Sequence, residues 1–169
     1  MGYVNLTDIC QFIPPATIQK TLGTWTPAVS ADVVSEVRSA ADAAFDLLIP
    51  LALPGSQVGL QAAKLQSVDV WYKIATVAAD DFAVVELDRI GLNADTVAIS
   101  GSNPAISLDA AHDTAAKRKA LGSHKMTVTL TTPVFIEKNS AYALHLSVDA
   151  AATTVFTLYG AQVNYTLRL

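Results

Sequence analysis

Three runs toward the end of the chain alternate apolar and polar residues with a period of two. Met126, Val128 and Leu130 alternate with threonines, Tyr142, Leu144, Leu146 and Val148 with small or polar residues, and Ala161, Val163, Tyr165, Leu167 and Leu169 with Gln162, Asn164, Thr166 and Arg168. Successive side chains of an extended strand point to opposite faces, so each apolar set lies on one side of a sheet. The same period recurs upstream, where Phe45, Leu47, Ile49 and Leu51 alternate with Ala44, Asp46, Leu48 and Pro50. Proline places that strand at an edge or marks its end. Val68, Val70, Tyr72 and Ile74 are expected inward, with Ser67, Asp69, Trp71 and Lys73 outward. A further strand is expected over 82–90, with Ala83, Val85 and Leu87 on one side, and shorter ones over 96–100 and 134–137. Turns are expected at Pro54-Gly55-Ser56, Thr132-Pro133, Lys138-Asn139-Ser140 and 149–152. About eight strands result (43–52, 65–75, 82–90, 96–100, 126–132, 134–137, 141–148 and 155–168), the last bent or divided near Gly160. With one apolar face each and no long helix, they predict an all-β fold, an antiparallel, jelly-roll-like β-sandwich.

Three stretches break the pattern. Residues 1–28 contain Pro14-Pro15, Gly23 and Pro27 and show no sustained period, yet they carry Ile9, Phe12, Ile13, Ile18, Leu22 and Trp25. This is too apolar for a free tail, and an extended N-terminal arm docked on its own sandwich or on a neighbouring subunit is expected. Residues 29–169 then form a single β-sandwich domain. Residues 29–41, VSADVVSEVRSAA, fit a short helix capped by Ser30 or Asp32, or a strand, and extended structure is preferred. Residues 101–125 form a long connection, with a short helix between Ala110 and Leu121 stopped by Gly122.

Composition narrows the function classes. Of 169 residues, 51% are hydrophobic and only 15% charged, against about 45–50% and about 25% in ordinary globular domains. With a mean hydropathy of +0.37, burial against partner subunits is the simplest explanation. A formal charge of −4 argues against binding a nucleic-acid backbone, which needs concentrated basic surface. The one dense basic run, Lys117, Arg118 and Lys119, is expected to be a solvated face. No stretch reaches the roughly 18–20 apolar residues that cross a bilayer as a helix. Met1-Gly2-Tyr3-Val4-Asn5 has no basic region followed by an apolar core, so no signal peptide is expected, and assembly in the cytoplasm is the default. The sequon at Asn5-Leu6-Thr7 matters only in a secreted chain. Cys10 is the single cysteine, so no intrachain disulfide forms, and a small buried hydrophobe is expected.

Candidate chemistry is sparse. No Gly-x-Ser-x-Gly elbow, phosphate-binding glycine loop or His-Glu-x-x-His motif occurs, so no catalytic residue is assigned and no enzyme is expected. Asp109, His112, Asp113 and His124 are competent metal-ligand types, but their spacing matches no compact metal signature, and no metal or cofactor is assigned. Asp80-Asp81, Glu86 and Asp88 read as solvated carboxylates, and His145 as an exposed or interfacial residue. Trp71 falls on the polar face, where it is covered by the arm, packed into a subunit interface, or used as a sugar-stacking platform with Tyr72 or Tyr159.

The run Leu65-Gln-Ser-Val-Asp-Val-Trp-Tyr-Lys-Ile, the segment Thr127-Val-Thr-Leu-Thr-Thr-Pro-Val-Phe and the ending Phe156-Thr-Leu-Tyr-Gly-Ala-Gln-Val-Asn-Tyr, behind an apolar arm, resemble small jelly-roll proteins of phage virions. That group comprises capsid decoration proteins and trimer-forming head or tail fibre modules. The resemblance spans residues 43–169 as a pattern and transfers no site residue. It implies a structural virion or particle protein, assembled in the host cytoplasm without a cofactor. Its partners would be copies of itself, as a trimer or higher assembly, and a capsid or other particle protein; neither nucleic acid nor membrane is implied. The interface residues expected on this reading are Phe12, Ile13, Trp25, Trp71, His112 and Arg118. The alternative is a carbohydrate-binding β-sandwich module, since similar sandwiches occur there.

Overall fold

The computed structural model describes residues 6–55, 62–92 and 99–168. Twelve strands run through them: β1 (Leu6–Ile13), β2 (Gln19–Lys20), β3 (Trp25–Ser30), β4 (Val33–Arg38), β5 (Ala43–Leu51), β6 (Lys64–Ala75), β7 (Asp81–Leu92), β8 (Ile99–Ser102), β9 (Ile106–Leu108), β10 (Gly122–Phe135), β11 (Ser140–Ala150) and β12 (Val155–Arg168). One helical turn, α1 (Ala115–Arg118), precedes β10. A seven-stranded sheet has the order β3-β4-β12-β6-β10-β9 with β1 also on β12, and a five-stranded sheet has the order β2-β5-β11-β7-β8. Within them, β4-β12-β6-β10 faces β5-β11-β7-β8. This is the jelly-roll arrangement, in which the chain crosses repeatedly from one sheet to the other.

The alternating positions build the core. Phe45, Leu47 and Ile49 of β5, Val68, Val70, Tyr72 and Ile74 of β6, Met126 and Val128 of β10, and Leu144, Leu146 and Val148 of β11 are all fully buried. A row of rings runs through it. Trp25 meets Phe45 edge-on at 5.4 Å, Phe45 meets Phe156 at 5.2 Å, Phe156 stacks on Tyr72 at 5.4 Å, and Tyr72 stacks on His124 at 4.7 Å. Such pairs add about 0.5–1.5 kcal/mol each beyond their area burial.

Several local expectations are corrected. Thr132-Pro133 is no turn: β10 runs straight through it, and a register shift against β6 between Thr129 and Val134 absorbs the proline, which has no N–H for the ladder. In β7, Phe82 and Leu87 are buried while Ala83 is exposed. The β11–β7 register shifts between Ser147 and Asp149, and one such shift reverses which parity faces inward. The connection 101–125 contains the end of β8, all of β9 and the start of β10, and its helix is a single turn. Cys10 is exposed on β1 opposite Asn164. Residues 29–41 are extended, turning between β3 and β4 at Ala31 and Asp32, whose φ values of 47° and 66° are the left-handed pair of a two-residue hairpin turn.

Residues 6–28, the described part of the stretch read as an extended arm, contribute strands to both sheets. β1 pairs with β12 along its whole length, β2 with β5, and β3 with β4. Asn5, Ser56, residues 96–98 and Leu169 lie outside the described residues.

Candidate functional site

The outward face of the seven-stranded sheet carries a half-exposed indole within a polar field. Trp71 of β6 lies opposite Lys125 of β10 on one side and Gly160 of β12 on the other. The Lys125 ammonium sits 5.4 Å from the indole centroid, a cation–π distance. Gly160 is where β12 shifts register against β6, leaving Tyr159 as the extra residue. A Cβ at Gly160 would come 2.8 Å from Phe12 Cζ and 2.7 Å from the Ile13 carbonyl oxygen, so the Phe12 ring packs directly on this glycine. Phe12 nonetheless stays 56% exposed. The face therefore runs Lys125, Trp71, Gly160, with Phe12 resting on the glycine.

On the next rung, Asp69 lies opposite Thr127 and Gln162. The Thr127 hydroxyl donates to Asp69 Oδ1 at 2.6 Å, Lys125 Nζ lies 3.2 Å from Asp69 Oδ2, and the Asn164 amide reaches Oδ2 at 3.4 Å. Asn164 also donates to Ser67 Oγ at 3.1 Å and accepts from Gln162 at 2.9 Å. Asp69, itself buried, thus holds side chains from both flanking strands in place. This is a fixed array of amide, hydroxyl and carboxylate groups beside an indole. Tyr72 takes no part, because it points into the core, fully buried, with its hydroxyl on the Arg118 carbonyl at 2.9 Å. Burial pushes its phenol well above the usual tyrosine range.

The residues considered for a metal come together only partly. His112 Nδ1 lies 2.8 Å from Asp109 Oδ1, His112 Nε2 lies 3.2 Å from His124 Nδ1, and His124 Nε2 lies 2.9 Å from the Ala120 carbonyl. Asp113 instead pairs with Lys117 at 2.7 Å. Every imidazole nitrogen is thus occupied by a hydrogen-bond partner, and among the described residues no group of three His, Cys, Asp or Glu is arranged to hold a metal. The row fastens the connection to the sheet. Asp109 accepts from the Thr127 N–H at 2.7 Å and from the Ala111 N–H at 2.9 Å. Burial alone raises its carboxyl, but these bonds and the His112 ring outweigh it and hold the group below the ordinary aspartate range.

Of the six residues expected at an interface, Phe12 and Trp71 reach the surface of this face. Ile13, the last residue of β1, is buried, and Trp25 is half-buried against Phe45 and Phe156. His112 and Arg118 are buried, so neither reaches a contact surface of this chain, and Arg118 alone departs from the reading of the basic run as solvated, since Lys117 beside it is exposed. Arg118 donates to the carbonyls of Phe82, His112 and Ala83 at 2.9, 2.9 and 3.1 Å. Gly160 was picked out from sequence only as a bend in the last strand, and Asp69, Thr127, Gln162 and Asn164 were not picked out as site residues. Their only signal was an outward position in the alternation, and the cross-strand register that unites them is not written locally.

The strand order and the single polar, aromatic face define the class: a jelly-roll-like β-sandwich with an open sheet face. No known protein-family model matches the chain, and no curated protein is similar to it in sequence. Among solved structures it is similar to the carbohydrate-binding module TmCBM61 in complex with beta-1,4-galactotriose, at 10% identity, covering 96% of this chain and 88% of that one with a TM-score of 0.39. It is also similar to a conserved carbohydrate esterase from Shiga toxin-encoding bacteriophage phi24B, at 12% identity, 98% and 100% coverage, and a TM-score of 0.42. A third is the enzymatically active domain of bacteriophage CBA120 tailspike protein 4, at 9% identity and a TM-score of 0.38, where the match covers 95% of this chain but 19% of that one.

Proposed function

We propose that this chain is a carbohydrate-binding β-sandwich and that the outward face of the seven-stranded sheet is its binding surface. The observation that carries this reading is the placing of half-exposed Trp71 one rung from the hydrogen-bonded set Asp69, Thr127, Gln162 and Asn164. Sugars offer an apolar C–H face and a rim of hydroxyls. An indole beside fixed donors and acceptors matches both. Because β6 is flanked by β10 and β12, the ring and its polar neighbours stand on a rigid support.

Affinity electrophoresis through gels cast with soluble polysaccharides tests the reading. The native chain is expected to be retarded by at least one polysaccharide, and Trp71→Ala to run as in an empty gel while keeping its melting temperature. Equal retardation of the two proteins in every gel would overturn the assignment.

A second reading, self-assembly on a virion or other particle, is favoured by a different feature. After Glu36 pairs with Leu158, β4 leaves β12, and β1 takes over that edge from Ala161 onward. The β3–β4 ribbon continues beyond this point with Val29, Val33 and Val34 exposed. A lone two-stranded ribbon is marginal in water, and exposed valines on it suit contact with another chain. Native mass measurement separates the readings: a trimer or higher species dissociated by Val29→Ser with Val34→Ser supports assembly, and a monomer overturns it.

A further inference from the structure

The charges around Trp71 are unlike those of the molecule as a whole. The chain carries 15 acidic against 11 basic residues, for a net −4. Around the indole the balance reverses. Lys125 stands directly across β10 from Trp71, and Lys73 follows two residues along β6 on the same face, exposed and opposite Ser123 and Thr157. Positions two apart on one strand, or diagonal across two strands, are about 7 Å apart, so the Lys73 side chain is long enough to bring its ammonium toward the ring that Lys125 already covers. Asp69 is the one carboxylate on these rungs, and both of its oxygens are already engaged by Thr127, Lys125 and Asn164. Lys73 enters no ion pair among the described residues. Asp8, the acidic residue that β1 adds to this edge, pairs with Thr166, six positions along β12 from Gly160 and about 20 Å away.

Building on the carbohydrate-binding reading, we propose that the ligand is an acidic glycan, a uronic-acid chain whose carboxylate is held by Lys73 and Lys125 while a sugar ring stacks on Trp71. Lys125 already occupies the indole surface and carries three N–H donors, of which Asp69 requires one. A sugar settling on the ring displaces the ammonium only as far as the sugar's own carboxylate. A neutral glycan offers nothing to the unpaired Lys73 and would leave Lys125 to be displaced without compensation.

The test is affinity electrophoresis of the whole chain in gels containing polygalacturonate or alginate, with neutral galactan and dextran alongside, at low and at raised NaCl. Retardation by at least one uronate polymer and by neither neutral one is expected. Lys73→Gln and Lys125→Gln should each weaken it about tenfold, the scale of one charge-assisted bond, with melting temperatures unchanged. Trp71→Ala should abolish it even at low salt. Binding to a neutral polymer with both lysine variants unaffected would overturn the acidic ligand and leave carbohydrate binding standing. No retardation in any gel would overturn both, and uronate retardation that survives in Trp71→Ala would reduce the effect to ion exchange.

Discussion

Replacing Arg118 with Met tests whether the basic run is the solvated surface that its sequence suggests or a buried fastening. In the structure Arg118 is 5% exposed, and its guanidinium donates to Phe82 O, His112 O and Ala83 O at 2.9, 2.9 and 3.1 Å. Those carbonyls belong to β7 and to the 109–124 connection, so one side chain ties the two together. Methionine keeps the stem but leaves three acceptors without their donor, and each bond to a charged group contributes about 1.5–3 kcal/mol. Against this, no carboxylate lies within ion-pair distance of Arg118 among the described residues, and burial holds its pKa below the arginine norm. Removing the charge therefore recovers several kcal/mol of desolvation. The net loss expected is about 2–5 kcal/mol, which at about 2–4 °C per kcal/mol for a domain of this size lowers the melting temperature by about 4–20 °C. Thermal and urea unfolding followed by circular dichroism measure it, with Lys117→Met as a surface control expected within about 0.5 kcal/mol of the native chain. An Arg118→Met protein as stable as that control would refute the buried placement.

Gly160→Ala should lose about 2 kcal/mol or more in urea unfolding, because its φ of 127° strains any side chain and the new Cβ would meet the Ile13 carbonyl at 2.7 Å. Since β1 rests on this glycine, the variant should also be cut faster within residues 6–13 by a dilute protease; unchanged stability would show that β1 docks elsewhere. Asp109 is held below its ordinary pKa of about 3.9. A depressed carboxyl contributes stability that is present above the unfolded value and is lost as pH falls through the folded one. The stability gap between the native chain and Asp109→Asn should therefore be widest above pH about 4 and close below it, whereas a gap constant from pH 7 to pH 2.5 would contradict the hydrogen bonding described.

Where a strand is long and buries one side, its sequence declares it. β5, β6, β11 and β12 each present four or more inward apolar residues at a period of two, and their sandwich was legible from that alone. β1 was not, although its eight residues pair without interruption. On the face it shares with Ile13, Thr7 and Ile9 are half-buried and Gln11 is exposed, so two of the four positions are polar and the alternation carries no contrast. β2 has two residues, and β3 holds Pro27, tolerated because β3 is an edge strand. Short or edge-bound strands take their position from backbone pairing with a partner far along the chain, and a periodicity reading cannot see that partner.

The candidate site failed to declare itself for a related reason, and the connection 101–125 misled for the opposite one. Thr127 and Asn164 reach Asp69 across 58 and 95 residues of sequence, and only the jelly-roll order, which inserts β12 between β4 and β6, makes them neighbours. In the connection, by contrast, Asp109, His112, Arg118 and His124 sit close in sequence and look like an exposed functional cluster. They are consumed by one another and by backbone carbonyls, because a long segment laid against a sheet must satisfy its own polar groups internally. A charge-poor chain makes the distinction sharper. Of its cations, Arg38 and Arg118 are buried, while Lys20, Arg89, Lys117 and Lys125 are paired with carboxylates. Lys64, Lys73, Lys119 and Lys138 enter no ion pair among the described residues, and of these Lys73 is the one that stands two residues from the half-exposed Trp71 on the same sheet face; groups that the fold leaves unsatisfied at a rigid surface are the ones available to a ligand.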